Sequence, residues 1–257
     1  MTGSLAAAAE SILTAKAELD YQAAAAVYPG TSFRRFGRVA ATRLPALPDA
    51  APYNKACGLS LDGIHRLDDI TAFYSETGQR PRLEIWAGDD TAELRSRLEA
   101  RGLSPAAGTA TLHARPRTGV PALPQGVQVD EVGRDNSHYL DILFQGYGMA
   151  SSSGTARDVF AREHGTPGLR RYLATVDGRP AAAAALFVHG GLSLFVGAAT
   201  LPAFRRRGCQ SALIHRRLGD AAAVSDLTVV TAAAGSASSA NLRSRGFEIT
   251  HLRTLWQ

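Results

Sequence analysis

Three strand-like runs crowd into residues 171–199, and this limits what the chain can fold into more than any other feature. They are Arg171–Val176, Pro180–Val188 and Leu192–Ala199, and the tight-turn pair Asp177-Gly178 joins the first two as a hairpin. Helical patterns and further strands surround them. Val127–Val132 reads as a strand, Ser137–Gln145 as a helix and Ala156–His164 as a looser helix. After the three strands come a helix over Cys209–Ala222 and a β-branched strand at Leu227–Thr231. A short helix, Ser238–Arg245, is stopped by Gly246, and Phe247–Trp256 closes the chain as a strand. The order β-α-α-β-β-β-α-β-α-β predicts an α/β or α+β fold, a mixed sheet flanked by helices.

The first half begins with an alanine-rich helix, Leu5–Val27. Leu5, Ile12, Leu13, Leu19, Ala23 and Val27 fall near helical spacing, and Pro29-Gly30 ends it. A strand is expected at Gly37–Leu44, a helix at Arg66–Thr77 and a strand at Arg82–Ala87. A helix from Asp89-Asp90 to Arg101 and a strand at Thr109–Ala114 follow. Pro116–Gly126 holds three prolines and two glycines, so the expected division is 1–116, a linker at 117–126, and 127–257.

Composition excludes several classes. The 257 residues are 45% hydrophobic and 20% charged, which is ordinary for a soluble domain. The net charge of +5 is carried almost wholly by arginine, with Lys16 and Lys55 the only lysines. No long basic run or aromatic-basic interleaving accompanies it, so no nucleic-acid partner is expected. Two cysteines, Cys57 and Cys209, cannot staple a chain of this length, and no His or Cys cluster has metal-ligand spacing. A reducing cytoplasm fits. The N-terminus lacks the early positive charge of a signal peptide, and no stretch reaches the ~20 apolar residues of a membrane span.

The chemistry concentrates in Arg205-Arg206-Arg207-Gly208-Cys209-Gln210-Ser211, which follows a strand and opens an amphipathic helix. A helix N-terminus leaves backbone N–H groups unpaired and carries partial positive charge, so it attracts phosphate. Gly208 allows close approach, Ser211 adds a hydroxyl and the arginines add charge.

This stretch resembles the acyl-CoA-binding motif of the GNAT superfamily, the Gcn5-related N-acetyltransferases. The element order of 127–257 is similar to that fold, and Ser238-Ser239-Ala240-Asn241-Leu242 followed by Gly246-Phe247 resembles its closing helix and strand. The resemblance implies acetyl-CoA as cofactor, held by Phe195, Val196, Gly197 and Ala198, by Arg205–Ser211 and by Asn241. It also implies direct transfer of an acetyl group to a small-molecule amine, by a monomer or a homodimer. Gln210 replaces the usual second Gly or Ala. Leu242 stands where many members carry the tyrosine that protonates the leaving thiolate. The remaining catalytic candidates are Asn241, Ser239, Tyr147 and His138, with Asp141, His164 and His189 nearby in sequence or fold. Cys209 reads better as a packing residue than as a nucleophile, since direct transfer needs no covalent enzyme intermediate.

Residues 37–115 repeat the element order of 192–256, which suggests a second, degenerate copy and hence a tandem GNAT-like arrangement. Asn54-Lys55-Ala56-Cys57-Gly58-Leu59 has no arginine triplet, so this copy is not expected to hold the cofactor. Tyr53, Asn54, Tyr74 and Trp86 are its candidates for lining an acceptor pocket.

Overall fold

A computed structural model describes residues 2–119, 121–149, 151–152 and 154–257, and the side chains from residue 5 onward. The expected linker includes Val120, which lies outside the described residues. In chain order the elements are α1 (Thr2–Ala25), β1 (Ser32–Phe36), β2 (Val39–Arg43), β3 (Lys55–Cys57), α2 (Leu67–Ser75), β4 (Leu83–Trp86), α3 (Ala92–Glu99) and β5 (Thr109–Ala114). They continue with β6 (Val127–Val132), α4 (Ser137–Gly146), α5 (Gly154–Glu163), β7 (Leu169–Val176), β8 (Arg179–His189) and β9 (Leu192–Thr200). The last are α6 (Cys209–Ala221), β10 (Leu227–Ala233), α7 (Ala237–Arg243) and β11 (Glu248–Trp256). The expected order of the second half is reproduced element by element. Strands β1 and β3 were not anticipated. β1 is polar at Arg34 and Arg35, and β3 is three residues long, so neither shows a pattern.

By its contacts the chain divides into Met1–Leu112 with Thr231–Gln257, and His113–Val230. This differs from the expected division, because β11 pairs antiparallel with β4, from Arg253↔Trp86 to Trp256↔Leu83. Trp256 is buried there in a core with Leu83, Ile85, Phe73, Tyr74, Leu94 and Leu98.

In the first unit the strand order is β1-β2-β3-β4-β11, with β5 beside β11. β3 and β4 are parallel and joined through α2; the other pairs, β1–β2, β2–β3 and β4–β11, are antiparallel. Helix α1 buries Ala9, Ile12, Tyr21 and Ala24, together with Glu10 and Lys16, while the expected face residue Val27 is 47% exposed. Glu10 is buried because β11 gives it two partners, Arg253 at 2.8 Å and His251 Nε2 at 2.7 Å. Arg253 also pairs with Glu84 at 2.9 Å, and Lys55 meets the same carboxylate at 3.0 Å. Asn54 is fully buried, accepting from Leu44 N–H and donating to the carbonyls of Leu47 and Ala50. It staples a loop rather than lining a pocket. Tyr74 is likewise a core residue, its hydroxyl donating to the Thr42 carbonyl.

In the second unit the order is β10-β9-β8-β7-β6, antiparallel except for the parallel pair β9–β10. The Asp177-Gly178 hairpin is present, with Val176 facing Arg179 and both turn residues at positive φ. Burial covers Ala181–Phe187 of β8 completely, which marks it as the central strand. Helix α6 turns Leu213, Ile214, Leu218 and Ala221 inward, as its periodicity predicts. No helix among the described residues is long and apolar enough to cross a membrane.

The buried ion network yields a test. Burial alone would push the Glu84 carboxyl up, but Lys55 and Arg253 outweigh it and hold it at about 2, below its ordinary 4.5. A folded-state value below the ordinary one adds stability that is complete above about pH 4.5 and fades as the pH falls toward 2. Urea denaturation of the wild type should lose stability through this window, and Glu84→Gln should flatten that slope. At neutral pH Arg253→Met leaves two carboxylates short of a cation and should cost about 3–5 kcal/mol.

Candidate functional site

The second unit's site begins where a strand pairing stops. β9 and β10 are in register from Leu192↔Leu227 to Phe195↔Val230, and no further. β9 itself continues against β8 as far as Thr200. From Val196 to Ala199 the strand therefore has a neighbour on the β8 side and a notch on the other. The β8–β9 register also jumps here, with Ala184 facing Ala198 and Ala185 facing Val196, so Gly197 is the extra residue of a β-bulge. Its φ of +45° is open to glycine, and a Cβ on it would lie 2.6 Å from His164 Cε1.

Helix α4 meets the bulge at its C-terminal end. A Cβ on Gly146 would come within 2.2 Å of the Ala199 Cβ, so only glycine allows this approach. The contact delivers the next residue, Tyr147, to the strand, where its hydroxyl accepts the Ala198 N–H at 2.8 Å. Tyr147 keeps 48% of its surface exposed. Desolvation still pushes the phenol up, so it is a neutral O–H donor at physiological pH. Behind it His164 is buried, with Nδ1 2.6 Å from the Tyr139 hydroxyl and its ring stacked on Phe160 at 4.5 Å.

Past β9 the chain makes a short 3-10 turn, Pro202–Phe204, and then the arginine loop. Gly208 caps α6 at φ 83°, ψ 0°, without a side-chain cap, and Arg206 also adopts a left-handed φ of 62°. Left-handed residues in such a loop turn backbone N–H groups toward one side, a concavity suited to anions. Beside it lies an open cavity of about 670 Å³ lined by Pro124, Gln125, Asp177, Arg206, Arg207 and Gly208. Pro124 packs over Gly208, where a Cβ would meet its Cγ at 2.5 Å. Arg205, Arg206 and Arg207 are all exposed, and Arg207 pairs with Asp177 at 3.3 Å. Backbone N–H groups, a helix N-terminus and exposed guanidinium groups form a donor set that fits a pyrophosphate. Cys209 is buried, and desolvation raises its thiol although Arg207 opposes this, which makes it a packing residue.

The structure brings Phe195–Ala198, Arg205–Ser211 and Tyr147 into one unit and leaves other candidates elsewhere. Ser239 and Asn241 lie on α7, in the first unit by contacts. Ser239 is buried with its N–H capped by Ser236, and Asn241 accepts from Arg245. Leu242 is buried. His138 is exposed in the first turn of α4, roughly 13 Å along the axis from Tyr147. Asp141 pairs with Arg157 at 3.7 Å, and His189 is exposed at the end of β8. Gly146 was not foreseen, because a glycine at a helix end reads as an ordinary stop. Among the described residues no group of side chains could hold a metal ion.

Residues 146–236 match the acetyltransferase (GNAT) domain family. The chain has the fold of several solved structures. A GCN5-related N-acetyltransferase from Kribbella flavida superposes with a TM-score of 0.65 at 17% identity, over 93% of this chain and 94% of that one. A tandem GNAT protein of the clavulanic acid biosynthesis pathway gives 0.62 at 16%, over 93% and 86%. A GCN5-related N-acetyltransferase from Sphaerobacter thermophilus gives 0.57 at 15%, over 76% and 64%. At such identities the likeness is one of fold. No functionally curated protein matches the chain in sequence. The matched segment opens on Gly146 and contains both the bulge and the arginine loop.

Two substitutions test the geometry. Gly197→Ala meets both an unfavourable φ and His164, and should cost about 1–3 kcal/mol in urea denaturation. Tyr147→Phe removes only the acceptor of the Ala198 N–H and should cost about 0.5–1.5 kcal/mol.

Proposed function

We propose that residues 113–230 bind acetyl-CoA and transfer its acetyl group directly to the amine of a small-molecule acceptor. The observation that carries this is the pairing, within one unit, of an anion-binding turn and an interrupted strand. In this reading the turn Arg205–Ser211 holds the pyrophosphate. The backbone of Phe195–Ala198 lines the pantetheine arm, as the family resemblance implies. Asn241, which the resemblance also implied, lies on α7 in the first unit and is given no role here.

Bound acetyl-CoA supplies a thioester whose C–S bond breaks as the acceptor's C–N bond forms. The chain's part is to place it and to move a proton. Tyr147 is assigned the acid role ahead of His138, Ser239 and Asn241. Its oxygen is tied to the Ala198 N–H, so its own proton is available for the departing sulfur. The amine's proton passes to solvent, from which Tyr147 is reprotonated.

The first unit is read as a degenerate second copy. Its β3–α2–β4 parallel crossover repeats β9–α6–β10. Asp68 and Asp69 occupy the first turn of α2, where they would repel a phosphate, so this copy is assigned no cofactor. A second reading, an acyl-CoA-binding regulator, is favoured by Leu242 in place of the usual tyrosine.

Isothermal titration tests the central claim. Wild type should bind acetyl-CoA with micromolar Kd, and an Arg206→Glu plus Gly208→Asp double variant should bind at least about 30-fold more weakly. No binding by the wild type overturns the proposal. Thiol release across a panel of amines separates the two readings: turnover supports the enzyme, and tight binding without turnover supports the regulator.

A further inference from the structure

Arg217 is the side chain that the site as described does not use. It sits on α6 in line with Leu213 and Ala221, on the face against the sheet, and is 2% exposed. Desolvation pulls its pKa down to about 10, so it remains a cation at neutral pH. Among the described residues no carboxylate pairs with it. Its Nε donates to the Leu213 carbonyl at 3.1 Å, in its own helix, and its other hydrogen bond goes to the Ala185 carbonyl at 3.0 Å. The guanidinium lies 3.8 Å from the centre of the Phe195 ring. A buried cation balanced only by carbonyls and a ring is expensive, and an apolar residue would pack there as Leu213 and Leu218 do.

Both sheet partners belong to the interruption in β9. Ala185 is the residue at which the β8–β9 register jumps, and Phe195 is the last residue of β9 paired with β10. A bulge breaks the ladder and leaves backbone groups in need of other partners. Arg217 supplies one, while Tyr147 takes the Ala198 N–H released beside it. The cation also favours the ionised form of the Tyr147 phenol, the form left after proton donation.

We propose that Arg217 is a positioning residue: it pins the bulge at Gly197 and thereby places the Ala198 N–H and the Tyr147 hydroxyl for acyl transfer. The kinetic consequence rests on the function proposed above; the pinning does not.

The test compares Arg217→Met and Arg217→Lys with wild type, by hydrogen exchange and by steady-state kinetics with acetyl-CoA and an accepted amine. In the Met variant, exchange over residues 194–200 should quicken at least about tenfold while β6 and β7 keep their protection. Its kcat should fall at least about tenfold with the acetyl-CoA KM changed less than about threefold. The Lys variant, whose ammonium can reach the Ala185 carbonyl, should recover most of both. Unchanged exchange at 194–200 overturns the proposal, because the bulge then holds itself. Exchange raised evenly through 113–230 overturns it too, since the arginine then only fills the core. Local loosening without a fall in kcat removes the positioning role. If Arg217→Met does not fold, the Lys variant and Arg217→Gln carry the same comparison. If the wild type turns nothing over, the function proposed above fails, while exchange still decides the pinning.

Discussion

The end of the β9–β10 pairing at Phe195 and Val230 is the constraint on which the second unit's site depends. A strand that loses a neighbour must satisfy its backbone in another way or leave it to a ligand. Here three elements converge on that stretch. The glycine bulge shifts the β8 register, α4 comes close enough through Gly146 to lay Tyr147 on Ala198, and α6 sends Arg217 to the Ala185 carbonyl. What is left along the notch is a short run of backbone leading directly into the arginine turn. A side chain at either glycine would push apart surfaces that the close approaches at Gly146 and Gly197 bring together.

The two units handle buried charge in opposite ways. In the first, Glu84 and Glu10 are each matched by cations from other elements, so the network is close to neutral and ties β4, β11 and α1 together. Breaking it strands a charge, which is why its cost falls on stability. In the second, Arg217 is charged with no anion paired to it among the described residues, held by carbonyl dipoles and an aromatic face. Such an arrangement is a poor way to stabilise a core. It is a good way to fix a local backbone geometry and to set a field beside a phenol.

Much of this was legible in the chain. The hairpin at Asp177-Gly178, the order of elements from 127 onward and the arginine turn before α6 follow from short-range chemistry: turn propensity, periodicity and the exposed N–H groups of a helix start. Arg217 carried a signal too, since a charged residue four positions from both Leu213 and Ala221 falls on the buried stripe. Strands β1 and β3 gave none, being polar or too short to alternate.

By itself the sequence determined most of the local elements and the arginine turn before α6, because those depend on residues a few positions apart. Only the tertiary structure decided that β11 leaves its sequence neighbours to pair with β4, and that Tyr147, not His138, Ser239 or Asn241, lies against the bulge. Strand partners and close approaches such as Gly146 on Ala199 are set by which surfaces bury best across the whole chain, and no window of sequence contains that competition.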